Sequence, residues 1–188
     1  MKNVKKILGI IAIVAIIGFT ACGDDNTGGN TGGTTYAIGD TGPGGGIVFF
    51  DKGSVSDGWR YLEAAPDNQG TSLAWRSPGS NDITGTSNYI GTSKANTTLI
   101  LAVDVNAPAA KACADYRGGG KDDWFLPSLD ELKEMYEART HLGISSGHFW
   151  SSWQSSQVSN AWGLYFDNGG PSYYPKSNLF NVRAVRAF

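Results

Sequence analysis

A run of three glycines and a lysine, residues 118–121, is where residue types and spacing first suggest chemistry. A phosphate-binding P-loop has the pattern G-x-x-x-x-G-K-[ST] between a strand and a helix. Here Asp122 follows the lysine where Ser or Thr is required, and Asp115 stands where the first glycine should be. The residues before the glycines also predict a helix, not a strand. The sequence therefore excludes a P-loop.

The histidines, serines and acidic residues give little support for metal binding or hydrolysis. Two histidines, His141 and His148, occur without an H-E-x-x-H pattern or a cysteine pair, so no zinc site is predicted. We identify no nucleophile elbow, because the serine beside Gly147 lacks the flanking context of that motif. We therefore predict no catalytic residues and no enzymatic activity.

Calcium is the one cofactor for which the sequence offers oxygen ligands. Asp122 with Asp123, and Asp167 with Asn168, supply carboxylate and amide oxygens of the kind that calcium binds. No twelve-residue EF-hand loop surrounds either pair, and acidic residues in turns and helix caps have the same appearance. We therefore predict no metal site and no cofactor.

The aromatic residues are the stronger candidates for recognition. They make up 12% of the chain, with six Trp and eight Tyr, and their broad apolar faces suit binding surfaces as well as β-rich cores. A binding site would combine a stacking aromatic with amide and carboxylate groups. We predict a ligand-binding site from Trp153, Gln154, Asp167, Asn168, Tyr173, Tyr174 and Lys176. We assign to the core Trp124, Leu126, Trp150, Trp162 and Val185.

Helical patterns occupy the middle of the chain. Asn96 can cap a short helix, and Asn106 can cap a second one with Pro108 in its first turn. The apolar spacing of this second helix places Cys113 on its buried stripe. A capping box of the form S-x-x-E begins a further helix over residues 128–138.

Strand patterns flank the helices on both sides. Runs of β-branched and aromatic residues predict strands at residues 47–50, 59–64, 149–153 and 161–166. Residues 66–95 predict a long ordered loop region anchored by Trp75 and Tyr89. Arg183 and Arg186 break the alternation of the closing strand, which implies a bulge or a paired arginine that faces inward. The fold class is therefore α+β, with antiparallel strands and long loops.

The N-terminal residues predict export and lipid anchoring. Positive residues precede an apolar run over residues 7–19, which is too short for a relaxed membrane span and fits a signal peptide over residues 1–21. Small residues ahead of Cys22 resemble the lipobox of bacterial lipoproteins, where the cysteine becomes the acylated N-terminus. Residues 22–35 predict a flexible linker, and residues 36–188 are long enough for one domain.

The charge balance disfavours nucleic acid as a partner. The chain has 15 basic and 17 acidic residues, and without Lys2, Lys5 and Lys6 of the signal region the net charge is −5. Proteins that bind nucleic acid usually carry a basic surplus. We therefore expect the partners to be the membrane, through the lipid on Cys22, and a glycan or an extracellular protein.

Several segments resemble one bacterial domain family. "DDWFLPSLDEL" (residues 122–132) is similar to the G-W-R-L-P-T-x-x-E-L signature of the Lcl C-terminal domain family, named after a collagen-like adhesin. "FWSSW" (149–153) resembles its Y-W-S-S-S segment, and "VRAVR" (182–186) resembles its closing V-R-x-V-R. The resemblance extends over about residues 38–188, because "IGDTGPGGGIVFF" is similar to the start of such domains.

The resemblance implies a C-type lectin-like fold, related to the formylglycine-generating enzymes, with paired terminal strands, two main helices and long loops. The chain departs from the family pattern at Trp153, where serine is usual, and at Phe125, which replaces an arginine. The calcium–sugar motifs of true C-type lectins are missing. The formylglycine-generating enzymes use active-site cysteines, whereas Cys113 stands alone, so their activity is not implied.

These observations together predict a lipoprotein that displays a noncatalytic, adhesion-type binding module. It would lie in the bacterial cell envelope, at the outer membrane or cell surface, with the periplasm as an alternative. Two other functions stay open at this point. One is an envelope enzyme with an unrecognised acid or serine site, and the other is a structural protein that binds a partner without a pocket.

Overall fold

The computed structural model describes residues 33–79 and 81–188. The predicted signal peptide (1–21), the lipidation site Cys22 and the linker up to residue 32 lie outside the described residues. Within the described residues, no helix has the length and apolar character that crossing a bilayer requires.

Eight strands form two sheets in the described part of the chain. They are β1 (Ile47–Ser56), β2 (Trp59–Ala64), β3 (Gly70–Leu73), β4 (His148–Gln154), β5 (Asn160–Tyr165), β6 (Gly170–Pro175), β7 (Phe180–Val182) and β8 (Val185–Ala187). One sheet has the order β1-β2-β8 and the other has the order β3-β7-β4-β5-β6. The first sheet therefore joins strands from the two ends of the described domain.

The strand predictions are confirmed in position, and the α+β class is confirmed with them. β2 has the predicted bounds, and the Asn168–Gly169 turn joins β5 to β6. The expectation of a purely antiparallel arrangement is wrong at one pair, because β4 and β7 run parallel through Phe149 and Asn181. This pair forms because the chain returns to β4 by a crossover instead of a hairpin.

Three α-helices occur in the described residues, one at each helical pattern of the sequence, where the family resemblance implied two main helices. They are α1 (Ser93–Val103), α2 (Pro108–Ala114) and α3 (Leu129–Glu137). The predicted caps Asn96 and Asn106 are wrong, because neither residue occupies the capping position of its helix. Asn96 lies inside α1, where its buried side chain donates to the Ser87 carbonyl and to Ser152 Oγ and so ties the helix to β4.

The capping box of α3 is confirmed and has a wider structural role. Ser128 Oγ accepts the Glu131 N–H, and the Glu131 carboxylate accepts the Ser128 N–H. The other Glu131 oxygen accepts the Gly91 N–H and the Ser93 hydroxyl at the start of α1. One buried carboxylate thus connects the N-termini of two helices.

The core contains four of the five residues that the sequence assigned to it. Trp124, Leu126, Trp150 and Val185 are buried. Trp162 is only partly buried and lies on a sheet face, so its assignment to the core is wrong. Trp75 anchors the long loop as predicted, and its indole N–H donates to the Ser151 carbonyl at 2.7 Å. The prediction that Tyr89 also anchors the loop is wrong, because this side chain is 67% exposed.

The two arginines of the closing segment are both buried, and both are satisfied. Arg183 donates to the carbonyls of Ala65, Pro66 and Leu142. Arg183 lies in the break between β7 and β8. The chain therefore passes from one sheet to the other at the point where the alternation fails. Arg186 lies in β8 and donates to the fully buried Glu63 carboxylate at 2.8 Å.

The glycine-rich segments pack against this ion pair and against each other. The N–H groups of Gly44 and Gly46 donate to Glu63, so residues 42–46 form a backbone cradle for the carboxylate. A Cβ on Gly119, which has φ +59°, would lie 2.4 Å from the Gly44 carbonyl oxygen. Gly119 is therefore needed for close backbone packing, and this explains it without a phosphate.

Candidate ligand-binding surface

The structure divides the predicted ligand-binding residues into separate groups. Trp153 and Tyr173 join Trp162 in one aromatic cluster, which we call the aromatic surface. Gln154 and Lys176 meet at one end of the β5–β6 hairpin. Asp167 and Asn168 lie at the other end, and Tyr174 points to the opposite face of the sheet.

The aromatic surface is built by strand register. Trp162 on β5 lies directly across from Tyr173 on β6, so the two side chains share a face, with their ring centroids 5.4 Å apart. Trp153 stacks on Trp162 with centroids 4.9 Å apart and an interplanar angle of 9°. Both tryptophans are partly exposed, and Tyr173 is 44% exposed.

An irregularity in β4 places Trp153 over Trp162. The register between β4 and β5 shifts between Trp150 and Gln154. Within that stretch Ser151 Oγ donates to the Trp162 carbonyl at 2.8 Å and accepts the Trp153 N–H at 3.2 Å. A buried serine hydroxyl therefore holds the two tryptophan backbones in the position that the stack requires.

Gln154 and Lys176 form a direct side-chain contact. Lys176 Nζ donates to Gln154 Oε1, which also accepts the Ile83 N–H at 3.1 Å. The Gln154 N–H donates to Thr86 Oγ1, so the same residue ties the long loop to β4 at two points. Sequence reasoning grouped Gln154 with Lys176 as ligand contacts, and the structure brings them together as partners of each other.

Asp167 and Asn168 stabilise the hairpin turn. Asp167 accepts the Gly147 N–H, and Asn168 Oδ1 accepts the Gly170 N–H, both at 2.9 Å. They are about 17 Å, the length of β5, from the end of the hairpin where Gln154 and Lys176 lie. The predicted combination of stacking aromatics with these two polar residues is therefore not assembled at one place.

Tyr174 lies on the other face of the sheet from the aromatic surface. Its ring packs edge-on against His148 at 5.2 Å and Phe180 at 4.9 Å. Because side chains alternate along β6, Tyr173 and Tyr174 cannot face the same ligand. Trp162, which the sequence assigned to the core, takes the place that Tyr174 was expected to fill.

Two buried groups with raised pKa values, Glu131 and Cys113, belong to the scaffold of the domain. Burial raises the pKa of Glu131, whose oxygens are already occupied by the helix caps. Burial also raises the pKa of the Cys113 thiol, which holds it in the unreactive form. These environments stabilise the fold and do not point either group at a cleft.

Residues 143–147 spell G-I-S-S-G, which matches the letters of a nucleophile elbow. A true elbow places its serine between a strand and a following helix. Here Ser145 follows α3 and precedes β4, which is the reverse order. The match in letters therefore lacks the geometry that activates such a serine.

The acidic residues considered for calcium also have other roles. Asp123 forms an ion pair with Arg186. Asp167 and Asn168 accept backbone N–H groups in the hairpin turn. In the part of the chain that the structure describes, no three His, Cys, Asp or Glu residues are grouped in a way that could hold a metal ion.

A cavity of about 540 Å³ lies beside β2 and β8, and sequence reasoning did not anticipate it. Trp59, Lys94, Asp123 and Arg186 line part of it. Arg186 is held by Glu63 and Asp123 at this wall, so its guanidinium is already paired within the protein.

The family-like segments mostly build the scaffold. Trp124 and Leu126 are core residues, Ser128 with Glu131 forms the capping box, and Arg186 pairs with Glu63. A model of the Lcl C-terminal domain family matches residues 65–186, which begins just after β2 and ends within β8. No curated protein matches the chain. Since the matched residues make up more than half of the sequence, the chain belongs to the Lcl C-terminal domain family.

Proposed function

We propose that this protein is a noncatalytic glycan-binding module held at the bacterial cell envelope by an N-terminal lipid. The observation that carries the proposal is the aromatic surface of Trp153, Trp162 and Tyr173. Aromatic rings offer flat apolar faces with polar handles, and the apolar face of a sugar ring packs on such a surface.

The position of Trp153 supports a ligand that is particular to this chain. The family pattern usually has serine there, so the stack on Trp162 depends on a residue that departs from the family. A serine could not provide this ring. The residue that departs from the family pattern therefore belongs to the aromatic surface.

The charge of the molecule favours an uncharged glycan on this surface. The net charge without the signal lysines is −5, and the rings of the aromatic surface are themselves neutral. Contact would come from stacking and from hydrogen bonds to sugar hydroxyls. A strongly anionic polysaccharide would meet unfavourable long-range electrostatics.

We further propose that the domain has a C-type lectin-like fold. The first sheet supports this, because β2 from the start of the domain pairs with β8 at its end, as Leu62 pairs with Ala187. The long segment between β2 and α1, with only β3 inside it, agrees with the long loop region of that fold.

A glycan and matrix-protein array tests the binding proposal. The full chain, purified in detergent, would be applied as wild type and as Trp153→Ala. We expect neutral glycans to be bound and the variant to bind about tenfold more weakly or worse, as expected when a central aromatic contact is removed.

Tyr89→Ala is the matched control, because it removes an exposed aromatic residue outside the aromatic surface. It should bind like the wild type. An array without glycan signals would refute the glycan proposal. Signals only on matrix proteins would replace it with a protein-binding function. Undiminished binding by Trp153→Ala would show that binding does not use the aromatic surface.

The anchor has a separate test. Mass spectrometry of the mature N-terminus should show acyl chains on Cys22. More than one chain is expected, because a single chain holds a protein to a membrane only marginally. An unmodified Cys22 would remove the lipid anchor from the proposal and leave the glycan test unaffected.

A further inference from the structure

Lys176 is a buried cation at the end of β6. Only 2% of the residue is exposed, and its Nζ donates to Gln154 Oε1 and lies 4.7 Å from the centre of the Trp75 ring. Its backbone is held on both sides, because its N–H donates to the Ser159 carbonyl and its carbonyl accepts the Trp75 N–H. The ammonium group therefore has a fixed position.

This ammonium has no counter-ion among the described residues. No acidic group there forms an ion pair with Lys176, and its hydrogen-bond acceptor is a neutral amide. Burial, and then the nearby Arg76 guanidinium, lower the pKa of Lys176 to about 8, while Asp82 acts in the opposite direction. At neutral pH the group is mostly charged, and buried charges are usually paired.

A cavity of about 370 Å³ opens beside the two cations. Its volume falls within the range of small-molecule sites. Ser77, Ser159 and Ser177 line it together with Arg76 and Lys176. Its remaining walls include two proline rings, which are apolar and rigid. The cavity thus combines positive charge and serine residues with an apolar wall.

We propose that this cavity binds a small organic carboxylate, with Lys176 and Arg76 on the acid group and the proline rings against the carbon skeleton. A carboxylate would supply the missing negative charge and relieve the repulsion between the two cations. The proline walls favour an organic acid over an inorganic anion. The site is separate from the aromatic surface and does not depend on the glycan proposal.

Isothermal titration calorimetry on the purified full chain tests the site. The ligands would be glucuronate as a sugar acid, succinate as a free organic acid, glucose as the neutral counterpart, and inorganic phosphate. We expect at least one carboxylate to bind and glucose not to bind. Binding of glucuronate alone would assign the site to acidic sugars, and binding of succinate alone would assign it to free organic acids.

Lys176→Met removes the charge and keeps a similar length, so it should weaken carboxylate binding about tenfold or more. Lys111→Met is the control, because Lys111 is an exposed lysine paired with Asp115 on α2. It should bind like the wild type. Equal binding of acid and glucose, unchanged binding in Lys176→Met, or binding of phosphate in preference to both acids would overturn the proposal.

A measurement on the wild type keeps the test decisive if Lys176→Met does not fold. At pH 8 about half of Lys176 is neutral, and a bound carboxylate should raise its pKa and draw a proton from the buffer. Titrations in two buffers of different ionisation enthalpy would detect up to about half a proton taken up. Binding without proton uptake, or no carboxylate binding at all, would contradict the site.

Discussion

Glu63→Gln is the substitution that most directly tests how this fold is held together. The Glu63 carboxylate is fully buried and accepts from Gly44 at 2.9 Å, from Gly46 at 2.9 Å and from Arg186 at 2.8 Å. Glutamine has nearly the same shape but replaces one acceptor oxygen with an N–H₂ group. That group would face donors, and the buried Arg186 would lose a charged partner.

The expected cost follows from these contacts. Removing one member of a buried ion pair typically costs about 3–5 kcal/mol. Arg186 keeps its ion pair with Asp123, so we expect Glu63→Gln to cost about 3 kcal/mol, the lower end of this range. Arg186→Met should cost less, about 2 kcal/mol, because Glu63 keeps its backbone N–H donors and loses one charged hydrogen bond. The double variant should cost less than the sum of the two single variants, by about 1–3 kcal/mol.

Urea unfolding of the full chain, followed by tryptophan fluorescence, would measure these free energies of unfolding. Asp51→Asn is the matched control, because Asp51 forms the same kind of pair with Arg60 at the surface, with a 2.8 Å contact. Surface ion pairs contribute little, so the control should leave the unfolding midpoint nearly unchanged. The reasoning fails if Glu63→Gln is no more costly than the control, or if the double variant is additive.

Three further changes test other parts of the scaffold. Burial raises the pKa of Glu131 in the folded state, so its stabilising contribution is present below pH 4.5 and is lost as pH rises through the folded pKa. As pH rises from below 4.5 through the folded pKa, urea unfolding should show the wild type losing stability relative to Glu131→Gln. If the stabilities of the two proteins change in parallel with pH, the prediction is contradicted. Gly119→Ala should cost about 3 kcal/mol, since its Cβ would clash with the Gly44 carbonyl at a positive φ. Gly120→Ala has positive φ but open space, so about 1 kcal/mol is expected, and equal losses would exclude the clash. Arg183→Met leaves buried carbonyls without a donor and should cost about 3 kcal/mol by thermal unfolding, with a loss under about 1 kcal/mol counting against this role.

Local patterns predicted the elements whose signals lie within a few residues. The capping box at Ser128 and Glu131 fixes the start of α3, and the aromatic and aliphatic residues of β2 predict its bounds. Asn96 shows where local reasoning fails. Its amide could cap a helix, but hydrogen bonds to Ser87 and Ser152 hold it inside α1 instead. Those partners are distant in sequence, so no local pattern contains them.

The candidate site was harder to predict because it depends on pairing between strands. Trp162 shares a face with Tyr173 and Trp153 only because of the β5–β6 register and the irregularity in β4. Alternation along β6 separates Tyr173 from Tyr174, although the two are adjacent in sequence. Lys176 meets Trp75 only after the long loop has folded against the hairpin. A shift of one residue in any of these pairings would expose a different set of side chains.

The family assignment and the proposed binding surface therefore rest on different residues. The signature positions are occupied in the scaffold: Trp124 is buried, Glu131 caps α3 and Arg186 pairs with Glu63. These residues are not available to contact a ligand, so their presence in a relative would indicate the same fold and not the same ligand. Trp153 departs from the family pattern and belongs to the aromatic surface. A relative with serine at this position can keep the hydroxyl bridge of Ser151 and every scaffold contact while lacking the stack. Ligand preference in this family should accordingly follow the exposed strand positions and not the signature.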